Sequence, residues 1–266
     1  MTDGLPGPGV SVPEPVLALA GGRPIRTVWV NELGGITFAI GAGGRRRFVK
    51  WAPAGSGLDL SAEAVRLRWA VSFTPVPRLL GTGASAAGSW LVTSALPGEM
   101  AVTDRWKAQP GTAVAAIGQG LRALHDALPV QGCPFSWGAG ERLADVRHRA
   151  RQGLLDPARW HPDHQHLSVP QALDMLGDTP PADELVVCHG DSCAPNTLLT
   201  AGGRWSGHVD LGALGVADRW ADLAVATWST TWNYGPGWEI PLLKAYGVAA
   251  DPDRTRYYRL LWDLEA

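Results

Sequence analysis

Asp191, Asn196 and Asp210 are the residues whose types and spacing carry the most chemistry. They lie in Val186-Val187-Cys188-His189-Gly190-Asp191-Ser192-Cys193-Ala194-Pro195-Asn196 and in His208-Val209-Asp210-Leu211-Gly212, with Asp210 fourteen residues after Asn196. The pattern predicts a strand that ends, a loop that carries Asp and Asn, and a hairpin that returns a second Asp. Phosphoryl transfer needs one carboxylate to orient an accepting hydroxyl and receive its proton. It also needs oxygen ligands for a magnesium ion that neutralises phosphate charge. Asp191 suits the first role, and Asn196 and Asp210 the second. Each also has a plain structural reading, since Asp or Asn beside Pro is commonly a turn residue. The upstream His189, the D-x-G at Asp210 and a lysine on an earlier strand raise the three together above that reading.

That lysine is Lys50, one of only three lysines beside twenty arginines, where a compact ammonium stands in place of a guanidinium fork. It ends the segment Phe48-Val49-Lys50, and Glu63 follows thirteen residues later in an amphipathic run, the order of a Lys-Glu pair that positions phosphates. The loop Asn31-Glu32-Leu33-Gly34-Gly35 matches neither G-x-G-x-x-G nor a Walker A motif. Gly34 and Gly35 would nevertheless let backbone amides approach phosphate oxygens. His189 reads as a residue that fixes the loop backbone, and Cys188 and Cys193 as small buried hydrophobes. The cluster His161-Pro162-Asp163-His164-Gln165-His166 lacks regular ligand spacing and reads as a solvated loop.

The elements that must position these residues follow from periodicity. Thr27 to Lys50 reads as three antiparallel strands between Gly-rich turns. Ser61 to Val71 reads as a helix capped near Asp59 or Ser61, and Ser89 to Leu96 as a further strand. Pro97-Gly98 stops that strand and places a hinge near residues 93–98, after which Ile117, Leu121, Leu124 and Leu128 share one helical face. Residues 156–181 read as irregular. Short strands are predicted at 184–187 and 197–200, and closing helices at 220–228, 241–246 and 252–264. The expected organisation is a flexible tail over residues 1–15, rich in Pro and Gly, then a β-rich lobe over 16–96 and a mainly helical lobe over 97–266.

Composition bounds the partners. With 23 Lys and Arg against 25 Asp and Glu, the net charge of -2 offers no basic excess for nucleic acid or an anionic membrane. The three cysteines form neither a disulfide framework nor paired zinc spacing, which fits a reducing cytoplasm. No apolar run reaches the length of a membrane span, and Met1-Thr2-Asp3-Gly4 opens neither a signal peptide nor a myristoylation site. An unanchored monomer or weak dimer is expected.

The motifs HGDxCxPNxLL, VDLGxLGVADRWADLA and RALHDALPxxxCPF resemble the aminoglycoside 3'-phosphotransferase family of antibiotic kinases, and FVK, PVPRLLG and WLVTSALPG follow in the family's order. The resemblance implies an α+β, two-lobed protein-kinase-like fold with an ATP-binding N-lobe and antibiotic resistance as the outcome. It also implies ATP and Mg2+ as cofactors, Asp191 as catalytic base, Asn196 and Asp210 as metal ligands, and Lys50 paired with Glu63 on the ATP phosphates. Backbone near Ser94 and Leu96 would meet adenine, and Asp218 and Asp222 would cap the following helix or tie it to the catalytic loop.

The acceptor side departs from the family's acidic pattern. His161 and Asp163 stand where relatives tend to carry Glu, and Thr230-Thr231-Trp232-Asn233-Tyr234 stands where acids are expected. Leu260-Leu261-Trp262-Asp263-Leu264 replaces a consecutive acidic pair, and Ala213 an Arg. Candidate acceptor contacts are therefore Asp163, Trp232, Asn233, Trp262 and Asp263, with the two tryptophans as stacking walls for a less cationic small-molecule acceptor. Two alternatives stand beside an aminoglycoside 3'-kinase: a kinase of another antibiotic or metabolite, and a nucleotide-binding pseudokinase. The intact Lys50, Glu63, Asp191, Asn196 and Asp210 argue against the latter.

Overall fold

The computed structural model describes residues 9–265. They form two compact units, one comprising the described residues up to Pro97 together with His208–Gly212, the other Gly98–Gly207 and the residues from Ala213 onward. The division falls one residue beyond the boundary read from the sequence, and the short segment bearing Asp210 joins the first unit.

In the first unit α1 (Glu14–Ala20) precedes β1 (Ile25–Val30), β2 (Ile36–Ile40) and β3 (Arg47–Pro53). Next come α2 (Leu60–Ala70), β4 (Leu79–Ser85) and β5 (Gly88–Ser94). The five strands form one antiparallel sheet in the order β1-β2-β3-β5-β4. Apolar side chains that alternate along the strands meet α1, so that Val16, Ala20, Phe38, Ile40, Val49, Trp51 and Val92 make a dry cluster. Val10 and Val12, inside the stretch expected to be a tail, pack partly buried against this cluster. That stretch is therefore docked from residue 10, and residues 1–8 of it lie outside the described residues. The α2 helix starts at Asp59, whose Oδ1 accepts from the Ser61 and Ala62 amides at 2.8 and 3.4 Å, and it buries Glu63, Ala64, Leu67 and Ala70.

The second unit runs β6 (Glu99–Met100), α3 (Asp104–Lys107), α4 (Pro110–Ala127), α5 (Ala139–Arg151) and α6 (Val169–Leu176). Its later elements are β7 (Leu185–Cys188), β8 (Thr197–Leu199), β9 (Trp205–His208, whose last residue falls in the first unit), β10 (Gly215–Asp218), α7 (Trp220–Tyr234), α8 (Glu239–Tyr246) and α9 (Pro252–Leu264). β7 pairs antiparallel with β10, setting Cys188 opposite Gly215, and β6, β8 and β9 form a second small sheet. The stretch read as irregular holds α6, which opens with a reciprocal Ser168–Gln171 capping box. Among the described residues no helix is long and apolar enough to cross a membrane.

α4 and α8 approach closely at Gly118, where an added Cβ would lie 2.6 Å from the Leu242 carbonyl oxygen and 2.9 Å from Ala245 Cβ. Alanine normally gains about 1 kcal/mol over glycine inside a helix. Here the backbone contact outweighs that gain, so Gly118→Ala is expected to destabilise by about 1–3 kcal/mol. Gly111→Ala on the same helix, with Trp238 at a comfortable 3.7 Å, is expected to be neutral or stabilising. Thermal unfolding of the two variants checks this, and equal melting temperatures would remove the close approach as the reason for Gly118.

Candidate active site

The sheet unit gathers three ionised groups. Lys50 occupies the middle of β3, flanked by Thr37 on β2 and Leu91 on β5. Its Nζ lies 2.8 and 2.7 Å from the two carboxylate oxygens of Glu63, which is buried on α2, and 2.8 Å from Oδ1 of Asp210. Burial disfavours the ammonium, yet the two carboxylates outweigh it and raise the Lys50 pKa above its ordinary value. Asp210 is half exposed and is the one non-glycine among the described residues with positive φ, at 66°. Such a conformation is uncommon outside glycine and is tolerated best by Asp and Asn. The segment carrying it is pinned to the sheet unit where the His208 amide donates to the Pro75 carbonyl at 3.1 Å.

Between β1 and β2, Asn31 organises the glycine loop. Its Oδ1 accepts from the Leu33 and Gly35 amides at 3.1 and 2.7 Å. Gly34 has φ of +80°, and a Cβ on Gly35 would come within 2.7 Å of Leu58 and Asn31, so neither position admits a larger residue without rearrangement. At the end of β5 the Ser94 amide donates to the Arg78 carbonyl at 2.9 Å and its hydroxyl accepts from the Arg78 amide at 3.0 Å. The Ser94 N–H is thus committed within the sheet unit, and half-buried Leu96 follows beyond the strand.

The helical unit builds the loop after β7. Asn196 Nδ2 donates to the Asp191 carbonyl and to its Oδ2, both at 2.9 Å, and His189 Nδ1 accepts from the Asp191 amide at 3.2 Å. Asp222, on the first turn of α7 and fully buried, accepts from the His189 and Gly190 amides at 2.6 and 3.0 Å and pairs with His125 Nε2 at 2.9 Å. Tyr246 meets the other ring nitrogen of His125 at 2.9 Å. Burial alone would raise the Asp222 carboxyl, but His125 and the two loop amides prevail and hold its pKa below the ordinary value. The Ser192 hydroxyl donates to the Asp222 carbonyl at 2.6 Å, and the Ala194 amide to Ser229 Oγ at 2.9 Å. Cys188 is buried, which pushes its thiol pKa far up and makes it a packing residue.

The candidate acceptor residues are differently disposed. Asp263, read as the nearest acidic contact, is fully buried and accepts from the His161 amide at 2.9 Å and from His164 Nδ1 at 2.7 Å, so it faces inward. Asn233 turns back on its own helix, donating to the Ser229 carbonyl at 2.8 Å. Trp232 and Trp262 are half-buried, with ring centroids 5.9 Å apart, and Trp228 lies beneath them. His161 and His164 are half-buried against the same rings, which replaces the solvated loop expected there. Trp232 Nε1 donates to His161 Nε2 at 3.0 Å, and burial holds the His161 imidazole below the usual histidine range. Asp163 is exposed and accepts from Trp228 Nε1 at 3.3 Å.

The structure therefore brings Lys50, Glu63 and Asp210 together in one unit and Asp191 with Asn196 in the other. The tie from Asp222 to the loop matches the sequence expectation. His125, Ser229 and Asn31 are supports that the sequence reading did not single out. His125 alone carried a local signal, as the one titratable residue on the apolar face of α4.

Residues 28–258 match the family model described as phosphotransferase enzyme family. The chain is 38% identical over 218 residues to an aminoglycoside 3'-phosphotransferase of Streptomyces fradiae, covering 79% of this chain and 81% of that one. It is 36% identical over 268 residues to a streptomycin 3''-kinase of Streptomyces griseus, covering 95% of each. The aminoglycoside phosphotransferase APH(3'')-Id of Streptomyces rimosus superimposes with a TM-score of 0.76 at 30% identity, covering 93% of this chain and 95% of that one. Its complex with ADP and streptomycin gives 0.70 at 28% identity, covering 94% and 95%.

Removing the Asp222 charge leaves loop amides and His125 facing an amide. Asp222→Asn is expected to cost about 2–4 kcal/mol at neutral pH. Because the folded pKa lies below the unfolded one, the carboxylate's contribution is present above about pH 4 and fades as the pH falls through the folded value. Urea unfolding at pH 7 and on acidification should show a gap between wild type and variant that narrows in acid. Identical midpoints at pH 7 would contradict the assignment.

Proposed function

Because the chain belongs to the phosphotransferase enzyme family and has its two-lobed, protein-kinase-like α+β fold, we propose that it transfers the γ-phosphoryl group of ATP to a hydroxyl of an aminoglycoside, inactivating the antibiotic. The observation that carries the reading is the Lys50 ammonium held between Glu63 and Asp210 in the middle of a sheet. A lysine fixed in this way serves to receive phosphate oxygens in exchange for a carboxylate. The N-lobe, residues 16–96, takes the nucleotide, with the Gly34–Gly35 loop over its phosphates and the chain around Ser94 and Leu96 beside the base. Residues 97–266 supply the catalytic loop and the acceptor contacts.

In the reaction the acceptor oxygen forms a bond to the γ-phosphorus as the bond to the β–γ bridging oxygen breaks, and ADP leaves with that electron pair. Asp191 orients the hydroxyl and receives its proton, and Asn196, bonded to the Asp191 carboxylate, fixes its rotamer. The amide oxygen of Asn196 and the half-exposed Asp210 carboxylate are hard oxygen donors of the kind that hold Mg2+. Bound there with the nucleotide, the ion would neutralise phosphate charge. Lys50 contributes a further fixed positive charge to the phosphates.

The 3'-hydroxyl is the first regiochemical reading, after the 3'-phosphotransferase relatives. The 3''-hydroxyl of a streptomycin-type acceptor is the second, favoured by the match to a streptomycin 3''-kinase over 95% of both chains. The setting is the cytoplasm, and the working form a monomer or weak dimer.

ADP release from Mg-ATP in the presence of kanamycin, neomycin or streptomycin tests the proposal. Asp191→Ala is expected to lower kcat by about 100- to 10,000-fold with little change in the KM for ATP. Lys50→Ala should raise the KM for ATP and lower kcat together. Acceptor-independent ADP release, or full activity in Asp191→Ala, would refute the roles given.

A further inference from the structure

We propose that Tyr246, the last residue of α8, is a positioning residue for phosphoryl transfer: its hydroxyl fixes the His125 imidazole in the one tautomer that can hold Asp222 against the loop bearing Asp191. The inference rests on the phosphotransferase reading above and extends its machinery to a helix that contributes nothing to the loop itself.

The connection is short and dry, since Tyr246, His125 and Asp222 are all buried. The Tyr246 hydroxyl lies 2.9 Å from His125 Nδ1, and His125 Nε2 lies 2.9 Å from Asp222 Oδ2. The same Asp222 oxygen takes the His189 amide at 2.6 Å, and His189 Nδ1 takes the Asp191 amide at 3.2 Å. Hydrogen bonds therefore run unbroken from the tyrosine to the backbone of the proposed base.

Proton bookkeeping decides what the tyrosine does. An ionised carboxylate only accepts, so Asp222 requires a proton on His125 Nε2. A neutral imidazole carries a single proton, and placing it on Nδ1 would turn a bare Nε2 lone pair toward the carboxylate. The Tyr246 hydroxyl prevents this. Burial pushes its pKa up, so it keeps its proton, and among the described residues it makes no other hydrogen bond. Its proton therefore points at Nδ1, which is left bare, and the ring proton stays on Nε2. A second ring proton would strand the hydroxyl proton without an acceptor in a buried site.

Packing holds the hydroxyl in place. A Cβ added to Gly118 would lie 3.1 Å from the Tyr246 amide nitrogen, so the tyrosine backbone sits against α4 at that glycine. Its side chain reaches His125, seven residues further along α4, where the two rings meet edge to face at 5.6 Å. Arg122, between those two positions, covers the tyrosine ring with its Cζ 5.6 Å from the centroid.

Tyr246→Phe keeps the ring and removes only the hydroxyl, which makes it the test in the full chain. The nitrogen NMR resonances of the His125 imidazole, assigned by their loss in His125→Gln, should show a protonated Nε2 and a bare Nδ1 in the wild type. Tyr246→Phe should populate the other tautomer. It should also speed hydrogen exchange at the His189 and Gly190 amides by about two- to tenfold more than at the amides of the β7–β10 ladder, whereas a purely structural loss would speed both alike. In ADP release with kanamycin, neomycin or streptomycin, kcat should fall by about two- to tenfold while the KM for ATP stays put. Tyr258→Phe, at a buried tyrosine of α9, should change none of these. A protonated Nδ1 in the wild type, or a Tyr246→Phe variant with unchanged tautomer and loop exchange whatever its kcat, would overturn the inference and leave the phosphotransferase reading standing. Turnover of no aminoglycoside would overturn that reading, while the resonances and the loop exchange would still decide what Tyr246 holds.

Discussion

The Asp222 carboxylate, with no solvent contact, gathers the His189 and Gly190 amides and the His125 imidazole, while its own carbonyl takes the Ser192 hydroxyl. A buried charge of this kind is tolerated only when its lone pairs are met, and the partners that meet it come from the loop and from α4. The loop therefore cannot relax without stranding the charge. This is how a stretch with almost no regular structure holds Asp191 and Asn196 in one arrangement, and why α7 and α4 must be packed before that arrangement exists.

The sheet unit solves a different problem. Lys50 is placed by register: with Thr37 and Leu91 as its strand neighbours, it stands on the row that faces α2. Two carboxylates compete for its ammonium, one buried on a helix and one half-exposed on a strained residue. The buried one is the permanent partner, because leaving Glu63 alone in a low-dielectric setting is costly. Asp210, still in contact with water, can change partners at smaller cost.

Much of this was legible in the sequence where a local pattern reports a local structure. The predicted closing helix at 252–264 is α9, and Ile117, Leu121 and Leu124 do line the buried face of α4. The Asp59 cap was readable because its neighbours in the chain signal it, and the tie from Asp222 because the family resemblance implied it. α5 was not legible, since its inner face includes Arg142, whose guanidinium is held by Glu265, 123 residues away. A pattern reading assigns such an arginine to water. Asp263 misled for the same reason: its inward turn is dictated by His161 and His164 from a distant loop, and nothing near residue 263 announces them.

The length of α7 separates tasks along one axis. Asp222 lies in its first turn, Ser229 two turns later, and Trp232 near its end. The first two positions are locked to backbone of the loop, whereas the last meets side chains alone in the contacts described, those of His161, Trp228 and Trp262. Substitution at position 232 can therefore be taken up by neighbouring side chains without loosening the loop that holds Asp191 and Asn196. One helix thus joins a half that fixes backbone to a half in which only side chains have to be exchanged.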